Sequence, residues 1–388
     1  MATTDVTWTR ANARRLARQG LTAPKAPDLD SPAQVAGAML GAHAQVLSAA
    51  ELSVALRLPA GTTRTDLREA LWADRALTKT YGPRGTVHLL PTADLPMWTG
   101  ALSSVPAGPN PWREDVRMTP EQTDEVVAAI RDALAGEPLT VDELTDAIVD
   151  RTGPWAGDRV MEAFQDKWPR WRQAAHTAAH RGALAFGPNR GRKVTYTGPG
   201  VTPMDGRPAV EALVRQYLHA YGPATPAHFA QWLAAPKAWA GGVFKDLAAA
   251  GRIEEVAFDG TAAWVASGDG AFPDAAPPPG VRLLAYFDAY VIACRPRERL
   301  FAGDAYGRAL GGGQAGNFPV VLVDGTVAGV WHQRRSGGRI TVTVEPIGTA
   351  LDSVRARTEL AAEVGRVAEA LEGRAELTVG RVAVGPHA

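Results

Sequence analysis

Apolar positions recur along this chain in a fixed order: stretches with helical spacing, then two short alternating runs joined by a turn. In the first set, residues 7–20 place their apolar side chains on one helical face. Ser31-Pro32 predicts a helix start, a side-chain cap followed by proline where no amide donor is needed, and that helix should reach residue 40. Ser48-Ala49-Ala50-Glu51 has capping-box spacing and predicts a helix over 49–58. A further helix spans 65–73. Two strand-like runs, 77–81 and 86–90, then flank Gly82-Pro83-Arg84-Gly85, a hairpin signal.

The second set has helices from Thr119-Pro120 to residue 134, from Thr140-Val141-Asp142-Glu143 onward, and over 169–182. Its last helix opens with Trp168-Pro169-Arg170-Trp171-Arg172-Gln173. The strands 183–186 and 194–197 enclose the loop Gly187-Pro188-Asn189-Arg190-Gly191-Arg192-Lys193. The third set has helices over 208–220, from Thr225-Pro226, and over 237–250, the last stopped by Gly251 in a left-handed conformation. Strands 253–258 and 262–266 surround Asp259-Gly260, a two-residue hairpin turn. Helices followed by a hairpin outline a winged helix, and three in tandem are suited to enclosing a nucleic acid.

Asp274-Ala275-Ala276-Pro277-Pro278-Pro279-Gly280 has linker composition. Beyond it the pattern predicts strands over 281–293, 318–323, 326–331 and 339–344, a helix over 350–372 and a strand over 376–384. The predicted fold is α+β, divided into units 1–115, 116–203 and 204–268 and a β-rich tail, 281–388, forming a small barrel or sheet packed on the third set.

The length, 388 residues, and a hydrophobic content of 46% fit several domains with sizeable cores. Basic and acidic residues balance at 41 each, so a nucleic-acid surface has to come from local clustering. From Lys167 to Met204 the basic residues Lys167, Arg170, Arg172, Arg181, Arg190, Arg192 and Lys193 occur with no Asp or Glu. Phosphate neutralisation calls for such clustering. Arg334-Arg335-Ser336-Gly337-Gly338-Arg339 is a second basic turn, with Arg334 and Arg335 as candidate DNA contacts beside the plain reading of an exposed hairpin tip. Arg84, in the first turn, has two readings of equal weight: reaching a phosphate, or capping a nearby helix.

The single cysteine, Cys294, lies among Val291, Ile292 and Ala293 and is expected as a buried thiol. The first twenty residues lack the apolar core of a signal peptide, and no run approaches about 18 apolar residues. A soluble cytoplasmic protein with no membrane association is expected. No H-E-x-x-H or paired-cysteine motif occurs, and no metal or other cofactor is expected. Gly311-Gly312-Gly313 does not follow a strand in a βαβ unit and reads as a flexible loop. His176 and His180 share a helix face, but no third metal ligand is evident, so backbone or phosphate contacts are the better reading.

One segment stands apart: Gly41-Ala42-His43-Ala44-Gln45-Val46-Leu47, between two helices. In extended chain, residues two apart point the same way, so His43 and Gln45 are expected to project together beside a helix N-terminus. Spacing alone favours the plainer reading, in which His43 satisfies a loop and Gln45 is an exposed polar residue.

Several strings, in this order, resemble the bacterial winged-helix DNA glycosylases of the AlkZ/YcaQ type: GAHAQVLSAAELSVALRL (41–58), GPRGTVHLL (82–90), YGPATPAHFAQW (221–232), YFDAY (286–290) and DGTVAGVW (324–331). Each is weak alone, but together they span roughly residues 8–350. The resemblance implies three winged helices and a β-barrel in a C-shaped clamp. It also implies a catalytic Q-x-Q or Q-x-D motif where this chain has His43-Ala44-Gln45. Gln45 matches the second position of the Q-x-Q form, and His43 departs from the first. Some relatives with histidine there are associated with bulky intercalating epoxide antibiotics of the trioxacarcin kind.

The activity this resemblance implies is that of a monofunctional glycosylase, acting as a monomer on double-stranded DNA that carries alkylated purines. Its setting would be repair or self-resistance against a genotoxic product. Gln45 would position water and His43 would act as general base. Asp288 is a further candidate helper, with a structural role as its plainer reading. The rival readings are a non-catalytic winged-helix regulator and an interaction scaffold. A regulator generally pairs two reading heads in a dimer, whereas three unequal units in one chain favour a monomer.

Overall fold

The computed structural model describes residues 4–22, 28–162, 166–310 and 313–385. Of the triglycine 311–313, the first two positions lie outside the described residues.

Three times, helices are followed by an antiparallel hairpin. In the first set, the helix Pro32–Ala38 is closed by reciprocal bonds between Ser31 and Gln34, with proline at its start as expected. The capping box expected at Ser48 does not form. The helix Leu47–Ala55 begins after Val46, which gives no side-chain cap. The reason is competition: Glu51 is buried and accepts two hydrogen bonds from Arg68, at 2.7 and 3.1 Å, in the next helix, Arg64–Trp72. The strands Leu77–Tyr81 and Val87–Pro91 form the hairpin, and the short strand Ala42–His43 adds to its second strand.

The second set contains the helices Pro120–Ala133 and Val141–Thr152, both with reciprocal caps from threonine. The long basic helix expected over 169–182 is two short pieces, a 3-10 turn Arg170–Ala174 and the helix Ala175–His180. Before them runs an unexpected ribbon, Arg159–Glu162 with Lys167–Pro169, so Trp168 and Pro169 end a strand instead of opening a helix. The following hairpin, Ala185–Arg190 with Lys193–Thr197, is longer than expected and turns at Gly191-Arg192. It packs beside the first hairpin, with Tyr81 and Phe186 ring centroids 5.4 Å apart.

The third set has the helices Gly206–Tyr221, Pro226–Leu233 and Lys237–Ala249 and the hairpin Ile253–Phe258 with Thr261–Ala266. Its turn residues, Asp259 and Gly260, both have positive φ, as the Asp-Gly pair predicts. The N-terminal strand Asp5–Val6 joins this hairpin in parallel.

The tail departs most from expectation. Its five strands form one open sheet in sequence order, not a barrel. They are Val281–Leu284, Val320–Val323, Thr326–Ser336, Arg339–Pro346 and Arg374–Val379, antiparallel except for the last pair. The expected strand 281–293 stops at Leu284, and a short helix, Ala289–Ala293, comes after it. The helix Val354–Ala370 lies against this sheet. Leu283, Ile340, Val342 and Leu360 share one core with Val35, Leu52, Leu67 and Leu77. The tail therefore packs chiefly on the first set, not the third, because the buried faces of its sheet meet the first set's apolar helix faces.

Candidate active site

The strand holding His43 is two residues long. Gly41, at φ +92, makes the turn into it, and a Cβ there would lie 2.7 Å from the Leu90 side chain. The register sets His43 directly opposite His88. The two rings meet edge to face with centroids 5.1 Å apart, and Phe287 lies 4.6 Å away on His43. Tyr286 continues the row at 5.6 Å from Phe287. His43 is 8% exposed, and its Nδ1 is enclosed with no hydrogen-bond partner among the described residues.

Gln45 is exposed. The ladder ends at His43, so the alternation expected to carry both side chains in one direction stops before Gln45. The two residues precede Leu47–Ala55 with different exposures, His43 buried and Gln45 exposed, and the expected common projection is not seen.

The electrostatics of His43 result from this packing. Burial, and then the Arg84 charge, push its pKa down to about 4, so the ring is neutral near pH 7. His88 is also pushed well below the usual imidazole range, by burial and then by the same arginine. His88 Nδ1–H donates to the Thr86 carbonyl at 2.9 Å, which leaves its Nε2 unprotonated in the neutral ring. Gly82 makes room for that ring, since a Cβ there would sit 2.9 Å from His88 Nδ1.

Phe287 is held by its neighbour. Asp288 is wholly buried, with Arg57 Nη1 and Nη2 donating to it at 2.8 Å each, Ser53 Oγ donating as well, and the Tyr290 amide at 3.0 Å. Those bonds commit the carboxylate to structure. It anchors the turn that sets Phe287 at φ +54, with the Phe287 amide donating to the Gly316 carbonyl at 2.9 Å. The sheet's lysine, Lys79, is aligned with Leu89 and Ala42, the row whose side chains face away from His43 and His88. Its ammonium lies 4.9 Å from the Phe186 ring.

The basic residues singled out in the sequence meet different fates. Arg84 Nη1 donates to the Trp232 carbonyl at 2.7 Å, at the C-terminal end of Pro226–Leu233, so it does cap a helix. Arg170 donates to the carbonyls of Val116 and Trp155 and faces Asp158. Arg181 pairs with Asp124 at 2.5 Å, Arg190 with Glu143 at 2.5 Å and Lys193 with Asp142 at 3.0 Å. Arg172 lies 4.1 Å from the Trp168 ring. Arg335 donates to the Leu371 carbonyl at 2.7 Å, capping Val354–Ala370. Arg192 and Arg334 are exposed with no side-chain partner among the described residues. His176 and His180 stand edge to face at 5.9 Å, and no cluster of three metal-binding side chains occurs among the described residues.

Sequence reasoning missed His88 and Phe287 as neighbours of His43. Both lie inside strings it had singled out, but only strand register and the Asp288 anchor bring them to one place.

Comparison with known proteins decides what this arrangement belongs to. The profile of the DNA glycosylase AlkZ-like family matches residues 36–370. The chain belongs to the AlkZ-like DNA glycosylase family. A curated relative, the interstrand DNA cross-link repair glycosylase of Streptomyces sahachiroi, is 32% identical over 342 residues, covering 84% of this chain and 87% of the relative. The solved structure of Streptomyces sahachiroi DNA glycosylase AlkZ superposes with a TM-score of 0.80 at 29% identity, covering 97% of this chain and all of that one. As an AlkZ-like protein this chain is a DNA-binding repair enzyme of mixed α and β structure, which sets aside the regulator and scaffold readings. No described helix is long and apolar enough to cross a membrane.

Proposed function

We propose that this glycosylase hydrolyses the N-glycosidic bond of alkylated purines in double-stranded DNA, N7-alkylguanine above all, with Gln45 positioning water and His43 accepting its proton. The observation that carries the reading is a neutral imidazole two residues from an exposed carboxamide at the head of one helix.

The chemistry suits those groups. An N7-alkylguanine carries positive charge. When its bond to the sugar breaks, the electron pair returns to the purine and neutralises it. The sugar is left as a cation, which water captures. An imidazolium beside that cation would repel it, and depressed basicity keeps His43 uncharged. A base of low pKa is adequate here, because water already bonding to a sugar cation is strongly acidic. The Gln45 carbonyl accepts from that water and its dipole opposes the developing charge. Bulky genotoxin adducts, released for repair or self-resistance, are the substrates we assign. The cross-link repair named for the Streptomyces relative is in keeping with that class.

The three helix-and-hairpin sets act in this reading as winged helices of a C-shaped clamp, with units near 1–115, 116–203 and 204–268 and the tail over 281–388. The enzyme works as a monomer. Arg192 and Arg334 are its freest candidate phosphate contacts, and Arg170, Arg172, Arg181, Arg190, Lys193 and Arg335 contribute less because their charges or donors are already engaged.

The test uses duplex DNA with N7-alkylguanine adducts, incubated with the protein and then heated in alkali. Strand breaks at the lesions are expected, and they should vanish in His43→Ala and Gln45→Ala. Equal breakage by wild type and both variants would remove the assignment.

A further inference from the structure

Arg84 borders an open concavity of about 430 Å³. The first hairpin turn, the helix Ala175–His180 and the end of Pro226–Leu233 all contribute to it, so each of the three sets takes part. Arg84, His176 and His180 line it together with Leu102 and Leu233, and no lining residue is acidic.

Arg84 is unusual among the arginines of this molecule. It is held in a left-handed turn at φ +62, and burial pushes its pKa down to about 10. A guanidinium has five N–H donors. Among the described residues Arg84 has one acceptor, the Trp232 carbonyl. The charged group acting on it is Arg295, which repels it, and no carboxylate acts on it. Buried charges are ordinarily paired, as Arg57 is with Asp288. Arg84 is partly buried, no acid pairs with it among the described residues, and its guanidinium borders a space open to solvent. His180 adds a second sign of incompleteness: its Nε2 is enclosed and has no partner among the described residues.

We propose that this concavity seats one phosphodiester of the bound DNA strand, gripped by the Arg84 guanidinium with His176 as a further donor. The seat rests on the DNA-binding half of the functional reading and is independent of base release. It fixes the strand next to His43, and it supplies the anion that Arg84 lacks. A phosphate there lets a water, or a protonated ring, satisfy His180 Nε2.

The experiment is a methylphosphonate scan. Each phosphate within one helical turn of a single lesion is replaced in turn by an uncharged methylphosphonate, and binding of the full-length protein is measured. At one linkage the wild type should lose about tenfold in affinity, and its salt slope should fall by about one. Arg84→Met should bind the unmodified duplex as weakly as the wild type binds that modified one, with no further loss when both changes are combined. His176→Gln, an exposed change that spares the hairpin, should reduce the same linkage's penalty to about threefold. Losses that simply add at every linkage in both variants would overturn the seat. Because only binding is read, that result would leave the excision reading standing, and failure of excision would leave the seat standing.

Discussion

The first and second hairpins pack side by side, yet they handle charge in opposite ways. The second carries three cations, and two are answered: Glu143 and Asp142 reach Arg190 and Lys193 from a helix of the same set. The first has two, and Arg84 is half-buried beside two imidazoles with no carboxylate to balance it among the described residues. A cluster of positive residues along a sequence is therefore a poor guide to where a field survives in the fold. What counts is which cations the fold leaves without an acid.

That contrast can be broken in several places. The largest effect is expected behind the first hairpin. Asp288→Ala leaves the Arg57 charge buried and unpaired, a loss of about 4 kcal/mol that urea unfolding would register. Asp142→Ala, which removes the exposed partner of Lys193 in the second, should leave the unfolding midpoint nearly unchanged. A large shift in the second variant and none in the first would reverse the comparison.

Acid should act next. His43 in the folded chain takes a proton only at about pH 4, against 6.5 when unfolded. Between those values the unfolded state binds more protons, so stability present above pH 6.5 is lost as pH falls toward 4, on the order of 3 kcal/mol from this residue. His88 and His180 push in the same direction. Unfolding midpoints followed from pH 7.5 to 4.5 check this; a flat curve would mean that the rings are solvated. For catalysis, kcat/KM should stay level from pH 8 to 5, and a fall centred near 6.5 would show His43 with an ordinary pKa in the free enzyme.

His43→Ala should slow single-turnover base release about 10²-fold with DNA affinity retained. The smallest effects belong to the second hairpin. Arg190→Ala and Lys193→Ala should each change duplex affinity less than about twofold, with Arg192→Ala the most costly of the three and lowering the salt slope by about one. Filter binding across salt concentrations ranks them.

Much of the architecture was readable because its signals are local. Ser31-Pro32, the Gly82–Gly85 turn, Asp259-Gly260 and Gly251 each announce an element by backbone chemistry alone. The failures share a cause, which is partnership across distance. Glu51 matched a capping box but is drawn to Arg68. The run after Leu284 is apolar enough for a strand, but Asp288 has to meet Arg57, 231 positions away, and the chain turns there. The ribbon ending at Lys167–Pro169 has no alternation to reveal it. At the candidate site, His43 and Gln45 were singled out by resemblance and not by spacing, whereas His88, Phe287 and the isolation of Arg84 depend on strand register and on acids being elsewhere.

The helix Trp8–Arg18 draws its partners from far along the chain. Arg15 donates to the carbonyls of Gly222, Pro223 and Arg295, Asn12 to that of Gly325, and Arg18 grips Asp269. As the polypeptide leaves the ribosome, this helix emerges early and waits for more than two hundred residues before its partners exist. Maturation thus cannot run strictly from front to back. A nascent chain halted before residue 222 should leave the segment open to protease, and the finished protein should shield it.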